Sequence, residues 1–361
     1  MKFSKIHGCA IIIMLLFLTG CAAEQTAKQR YFWPPLPERP RIEWLGAYSG
    51  QADFPKTATQ NMLDSFFGED TSIALKRPIA IAADGKGKVY VTDIGIPAVV
   101  IFDLQENNIS YLGGDDSSGL FQSPIGIALD ADNNVYVSDP KLGSILVYDS
   151  KNRPLRSIKT APHVRLNGAI AVDKKNKRLL VINNTDHSIA IFDLLGNFIS
   201  SFGKRGNNDG EFSFPSGLVV NNRGEIIVAD SMNARIQVFD ANGAFIRKFG
   251  KRHDGPSGFQ LIKGVAVDSD DNIYVTDGKS HKFEIFNSSG DYLLSIGSQH
   301  SSLTSSSDKS FVGGFLVPHG ISIDSNDTIY VAEQFNIRFQ VFQYLSDSQL
   351  KNMPIPGYTL P

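Results

Sequence analysis

The chain has 361 residues, of which 42% are hydrophobic and 20% are charged, and its formal net charge at pH 7 is −2. This hydrophobic content is ample for a sizeable buried core. The slightly acidic balance provides no basic surface for phosphate groups, so we expect no nucleic-acid partner.

Residues 1–20 are interpreted as a targeting segment that does not belong to the fold. They begin with two lysines and no acid, continue with the apolar stretch CAIIIMLLFL, and end with LTG before Cys21. The apolar stretch is shorter than the roughly 20 residues that a membrane-spanning helix needs. An uncleaved anchor is the alternative interpretation.

The run LTGC resembles the lipobox of bacterial lipoproteins, in which the cysteine accepts diacylglycerol. The resemblance implies cleavage after Gly20, a lipid anchor at Cys21 and a location in the cell envelope. No Asp follows the cysteine, which by the same resemblance favours the outer membrane and leaves the leaflet open. Cys9 lies in the part that would be removed, so the mature chain has no thiol free to pair and depends on its core.

Residues 21–40 are polar and then rich in proline. Such a segment is predicted to run extended, as a semi-rigid tether between the membrane and the domain. The alternative is that Phe32 and Trp33 pack on the domain surface, because buried aromatic rings remove so much apolar area from water. Both can hold at once.

A pattern of short apolar runs recurs six times along the chain. In each unit one run ends at an acid or amide, at residues 93, 139, 183, 230, 277 and 333, and further runs precede and follow it. Short β-branched and aromatic strands between Gly, Asn and Asp turns are typical of a propeller blade. The sequence therefore predicts an all-β, six-bladed β-propeller over residues 41–345, with four antiparallel strands per blade.

The sixth unit lacks its own fourth strand. At the other end of the domain, RIEWLG (41–46) matches NISYLG (108–113), which aligns Ile42 with Ile109 and Leu45 with Leu112. We expect this N-terminal strand to complete the last blade and close the ring, because an open sheet edge leaves backbone groups unpaired. The closed ring is expected to be monomeric, and residues 346–361 are assigned to a C-terminal tail.

The phrases ADSMNARIQVF (229–239) and AEQFNIRFQVF (332–342) resemble the NHL repeat. WD-type blades have a similar period, but both tryptophans of this chain precede the repeats. The resemblance covers roughly residues 75 to 345 and implies an NHL-type propeller. It says little about function, because one fold carries many activities.

The acids that end the second strands, including Asp277 and Glu333, could suggest metal ligands. An acid needed in every blade is more simply a turn device that accepts backbone N–H groups. Residues 130–134 and 268–272 imitate the start of a calcium-binding EF-hand loop but lack its glycine and its distal Glu, so we predict hairpin turns there.

His319 lies in Pro318-His319-Gly320, directly before an innermost strand, where side chains face the central channel. The peptidyl-hydroxyglycine lyases of this fold are similar in using such entries from several blades to hold zinc, and lactonase-type propellers resemble a carboxylate and amide cage for calcium. Here one histidine stands where catalytic zinc normally has three ligands. No metal and no cofactor are therefore predicted, and a metal-dependent lyase or lactonase remains the alternative function. The equivalents of His319 are Ile79, Ile125, Gly168, Ser216 and Lys263.

Two insertions fall on the same face of the propeller, at residues 47–74 and 298–314. The first contains a short predicted helix with Phe66 and Phe67, and the second is rich in serine. Recognition is usually placed on loops of a rigid scaffold, so we predict a non-catalytic scaffold that binds an envelope protein or peptide there. A plug helix and a disordered loop are the alternatives. The candidate binding residues are His319, Lys263, Ser216, Asp277, Glu333, Phe66 and Phe67.

Overall fold

The computed structural model describes residues 29–55, 73–114, 119–165, 168–301 and 312–353, together with 355 and 358. Residues Tyr31–Pro361 belong to one compact unit. No helix in the described ranges is long and apolar enough to cross a membrane.

The described chain folds into six antiparallel sheets, one for each sequence unit, as predicted. The first three blades follow one another along the chain. Blade 1 contains β3 (Pro78–Ala83), β4 (Lys88–Asp93), β5 (Ala98–Asp103) and β6 (Asn108–Tyr111). Blade 2 contains β7 (Gly126–Leu129), β8 (Val135–Asp139), β9 (Ser144–Tyr148) and β10 (Pro154–Lys159). Blade 3 contains β11 (Ile170–Asp173), β12 (Arg178–Asn183), β13 (Ser188–Asp193) and β14 (Phe198–Phe202).

Blades 4 and 5 also follow along the chain, whereas blade 6 combines strands from both ends of the domain. Blade 4 contains β15 (Pro215–Val220), β16 (Ile226–Asp230), β17 (Arg235–Phe239) and β18 (Phe245–Phe249). Blade 5 contains β19 (Ile262–Val267), β20 (Ile273–Asp277), β21 (Lys282–Phe286) and β22 (Tyr292–Ile296). Blade 6 contains β23 (Pro318–Ile323), β24 (Thr328–Glu333), β25 (Arg338–Tyr344), β2 (Ile42–Tyr48) and β1 (Tyr31–Trp33).

The N-terminal strand β2 pairs antiparallel with β25, which confirms that it completes the last blade. The alignment of its residues was wrong. Trp44 pairs with Phe342, and this pair corresponds to Ile109 and Phe102 in blade 1. The strand is thus displaced by two residues from the expected match, and a β-bulge between Trp44 and Gly46 leaves Leu45 exposed.

The segment assigned to the tether contributes to the fold from Tyr31 onward. Strand β1 adds a fifth strand to blade 6, and Trp33 contacts Phe342 with 5.9 Å between ring centroids. The assigned tail also packs: helix α1 (Asp347–Asn352) buries Leu350 against Phe32 and Leu345. Of the two interpretations of this segment, an extended tether and packing of Phe32 and Trp33 on the domain, the described residues show the packing. The described residues also form two short 3₁₀ turns, Gln51–Asp53 and Ser231–Asn233.

The core lies between the blades. Each of the six interfaces between neighbouring blades holds its own cluster of buried apolar side chains. At the interface of blades 6 and 1, for example, Phe339 meets Phe102 edge-on with 4.9 Å between ring centroids. Because the ring is closed, blades 1 and 6 pack against each other, and every blade is buried between two neighbours.

Small residues let the six innermost strands approach one another closely around the central channel. A Cβ atom added at Gly264 would lie 2.8 Å from the carbonyl oxygen of His319, and one at Gly320 would lie 2.7 Å from that of Ile79. Larger side chains would force these strands apart. The equivalent positions are Ala80, Gly126, Ala169, Gly217, Gly264 and Gly320.

Candidate functional site

The central channel opens at the end where the innermost strands begin. We call this end the channel mouth and define it by the six equivalent residues Ile79, Ile125, Gly168, Ser216, Lys263 and His319. All six line one cavity of about 970 Å³ that runs between the innermost strands. The sequence equivalence therefore predicted correctly which side chains share the channel.

His319 is partly buried at the mouth, in the wall formed by β23. Burial lowers the pKa of its imidazole to about 4, and the charge of nearby Lys263 acts in the same direction. A hydrogen bond to the carbonyl of Ile79 opposes the shift without overcoming it. His319 is therefore neutral at pH 7, so that one ring nitrogen carries a hydrogen and the other a lone pair.

Lys263 stands beside His319 on the neighbouring strand β19. Its carbon stem lies over Gly278, where an added Cβ atom would be 3.1 Å from the Lys263 Cγ atom. Desolvation lowers the pKa of the ammonium group, and no carboxylate in the described ranges forms an ion pair with it. Lys263 is the charged residue at the mouth, since the other charged residues lining the described channel follow the innermost strands at its far end.

Ser216 is the third polar side chain at the mouth. Its hydroxyl donates to the carbonyl oxygen of Ile262 at 3.1 Å, and the hydroxyl of Ser231 donates to the same oxygen at 2.8 Å. Because the Ser216 hydrogen is used in this way, its oxygen lone pairs remain for a ligand. The mouth thus combines one cation with two hydrogen-bond acceptors.

An apolar rim adjoins these polar groups, formed by Phe214 and Met232. Both line the same cavity, and their side chains are 48% and 51% exposed. Phe214 immediately precedes β15, and Met232 lies in the 3₁₀ turn after β16, held by Met232 N–H donating to the Ser213 carbonyl at 3.0 Å. Phe335 occupies the corresponding turn of blade 6 and is also exposed.

Phe214 is held in an unfavourable backbone conformation. Its φ is +49°, in the left-handed region that bulky residues rarely adopt. The Nδ1 atom of His187 accepts a hydrogen bond from the Phe214 N–H at 2.9 Å, and the two rings meet edge-on with 4.5 Å between their centroids. The same hydrogen bond occurs between blades 5 and 6, where the Nδ1 atom of His281 accepts the Val317 N–H at 3.1 Å. Burial lowers the pKa of both histidines, so Nδ1 is available as an acceptor at pH 7.

The structure corrects the expected position of Asp277 and Glu333. Both are fully buried, so they offer no carboxylate to the channel mouth. Asp277 accepts the N–H groups of Gln260 at 2.6 Å and Leu261 at 3.0 Å, which confirms the turn role predicted for these acids. Glu333 accepts from Arg338, Asn336 and Gln340, as well as from a loop N–H.

The two calcium-like segments are hairpin turns, as predicted. Asp130 accepts the N–H groups of Asp132 and Asn134, and Asp268 makes the same bonds to Asp270 and Asn272. No group of three His, Cys, Asp or Glu side chains in the part of the chain that the structure describes is arranged to hold a metal ion.

Three predicted functional residues lie outside the described residues: Cys21, Phe66 and Phe67. Of the serine-rich insertion, residues 302–311 lie outside as well. The flanks of this insertion are described, and Gly313 N–H donates to Gln340 at 3.3 Å.

Phe214, Met232 and Phe335 were not predicted from the sequence. Met232 and Phe335 could have been noticed in the sequence. Each is the second residue after the acid or amide that ends the second strand, and the same position holds Lys141, Thr185 or Lys279 in other blades. An apolar residue there has no turn role. Phe214 could be singled out only from the contact with His187, which is 27 residues away.

Comparison with known proteins agrees with this architecture. Residues 218–303 match the DUF5128 family, described as a 6-bladed beta-propeller. The chain is a six-bladed β-propeller. No curated protein matches the sequence significantly.

Solved structures show the same fold at low sequence identity. A structural genomics protein of unknown function from Bacteroides thetaiotaomicron is 18% identical, with a TM-score of 0.59 over 76% of this chain and 71% of that one. A gluconolactonase from Xanthomonas campestris is 14% identical, with a TM-score of 0.56 over 85% and 99%. Virginiamycin B lyase from Staphylococcus aureus is 15% identical, with a TM-score of 0.52 over 76% and 85%. At these identities the likeness concerns the fold alone.

Proposed function

We propose that the protein is a lipid-anchored propeller of the bacterial cell envelope that binds another protein or a peptide around its channel mouth. The observation that carries the proposal is the rim, where His187 holds Phe214 in a strained conformation with its ring half-exposed. Such strain persists only where surrounding contacts enforce it, and it concentrates at functional positions. The NHL-type assignment belongs to the same proposal.

The composition of the mouth favours binding over chemistry. Hot spots of protein interfaces are rich in aromatic residues that become desolvated on binding, and Phe214 and Met232 provide a pre-positioned apolar contact. Phe66 and Phe67, in the insertion that the sequence predicts for this face, remain candidates. The polar groups comprise one neutral histidine, one lysine and one serine, which lack the paired acid and base or the three ligands of a metal enzyme.

A lyase or lactonase is the competing function, supported only by likeness of fold to enzymes of those kinds. It predicts a metal equivalent in purified protein and turnover of a hydroxyglycine peptide or a lactone. Tight metal binding at one equivalent that is lost on His319→Ala, together with such turnover, would replace the binding proposal.

Partner capture provides the direct test. Phe214→Ala combined with Met232→Ala should reduce crosslinking of the partner in intact cells by about tenfold or more, since hot-spot truncations cost about 2 kcal/mol or more. The matched control combines Leu155→Ala with Leu293→Ala. These residues lie on outer strands and are 48% and 50% exposed, as much as the rim residues. Equal effects of the two double variants would contradict recognition at the mouth.

The lipid anchor is tested at Cys21. Cys21→Ala should abolish lipidation and move the protein from the membrane fraction to the soluble fraction, because one thiol carries the whole attachment. Fractionation with mass measurement of the mature N-terminus checks this result. Continued membrane association without lipid would indicate that residues 1–20 are retained as an anchor. Separation of inner and outer membranes tests the proposed outer-membrane location.

A further inference from the structure

The channel mouth contains one cation, Lys263, for which the described residues provide no counter-ion. Lys263 lies partly buried on the channel wall, and no carboxylate of the described residues forms an ion pair with it. Asp277, which ends the adjacent strand β20, accepts loop N–H groups, and Glu284 pairs with Lys282 at 2.7 Å. A partly desolvated charge left unpaired is unfavourable unless something neutralises it. The arrangement is therefore suited to an anionic ligand.

The groups beside Lys263 restrict the kind of anion. The imidazole of His319 is neutral, so one of its ring nitrogens is an acceptor. Ser216 also offers lone pairs, because its hydrogen is donated to Ile262. An anion with acceptor atoms only, such as the dianion of a phosphate monoester, would leave both acceptors without a donor. A carboxylate with a neighbouring N–H group would satisfy Lys263 with its charge and His319 or Ser216 with its hydrogen.

We propose that the channel mouth is a subsite for a carboxylate flanked by an amide N–H, as found at the C-terminal residue of a peptide or at an aspartyl side chain. The inference rests on the proposed binding function and names the chemistry that the site recognises. Lys263 carries the charge, and His319 and Ser216 accept hydrogen bonds from the ligand. Phe214 and Met232 receive the apolar part of the ligand that remains outside the channel.

The subsite is tested by calorimetric titration of the mature lipidated protein, residues 21–361, in detergent. N-acetylphenylalanine has the free carboxylate, the N–H group and an aromatic ring, and N-acetylphenylalaninamide replaces the carboxylate by an uncharged amide. The acid should bind at least about tenfold more tightly than the amide. Lys263→Met should remove this preference, and Lys263→Arg should retain it, while the melting curves of both variants report whether they fold.

Two further probes define the ligand. The α-amide of N-acetylaspartic acid presents its carboxylate on a side chain, and tighter binding of it or of N-acetylphenylalanine identifies which source the subsite accepts. Phenylphosphonate tests the charge, and a preference for it would overturn the assignment to a carboxylate.

Equal affinity for acid and amide, an unchanged preference in Lys263→Met, or no binding of any probe would also overturn the subsite. These results would leave the proposed function standing, because partner capture through Phe214 and Met232 is measured separately. Loss of capture in the Phe214 and Met232 variant identifies the rim as the contact independently of Lys263.

Discussion

Replacing Ile42 by aspartate should lower the melting temperature by about 10 °C or more. Ile42 is 0% exposed and packs between blades 5 and 6, so the variant loses apolar burial and places an unpaired charge in the core. Changes of this kind cost about 4 kcal/mol or more, and 1 kcal/mol shifts the melting temperature by about 2–4 °C in a domain of this class. Thermal unfolding followed by circular dichroism checks the result.

The matched control is Leu45→Asp, three residues further along the same strand. Leu45 is 39% exposed at the β-bulge, so its replacement should change stability by about 0.5 kcal/mol or less. The pair tests both the closure of the ring by β2 and the register in which it closes. Similar losses from both substitutions would contradict this register, and no loss from Ile42→Asp would contradict the closure itself.

The existence of strand β2 could be predicted from sequence, but its register could not. The missing fourth strand of the sixth unit and the run RIEWLG were sufficient to pair the two ends of the domain. The bulge between Trp44 and Gly46 places two residues opposite one, and nothing in a run of six letters locates such an insertion. A shift in register moves side chains to different environments: Leu45 was aligned with Leu112, which is buried, but Leu45 itself is exposed at the bulge.

The candidate site, too, could be predicted from the sequence only in part. The shared repeat position placed Lys263, His319 and Ser216 around one channel, because every blade contributes the same residue to the ring. The packing around these residues was not accessible in that way. The contact of His187 with Phe214 joins two blades across a loop, and His319 is kept neutral by burial and by the charge of Lys263 on the neighbouring blade. Both follow from tertiary contacts between units that the sequence shows only as parallel copies.

The buried acids were open to two interpretations because an acid in every blade suits a turn as well as a ligand. The burial of these acids distinguishes a turn role from a ligand role. A carboxylate that accepts several internal hydrogen bonds and is inaccessible to solvent contributes to stability, and its loss leaves its partners unpaired. Glu333 provides the sharpest case, because it was expected both to terminate a strand and to face the channel mouth.

Glu333→Ala should reduce the free energy of unfolding by about 3–5 kcal/mol. The Glu333 carboxylate accepts Arg338 Nε at 2.6 Å and Gln340 Nε2 at 2.8 Å, and both donors are buried. Removing the acid leaves the guanidinium as an uncompensated charge in the interior, which costs more than the intact pair contributes. Urea denaturation of the purified protein measures the change.

Asp209→Ala is the control for this substitution, since Asp209 pairs with Lys248 at an exposed position. Exposed ion pairs contribute about 0–1 kcal/mol, so this variant should unfold near the wild-type midpoint. A loss at Glu333 no larger than that at Asp209 would show that the buried network is not structural.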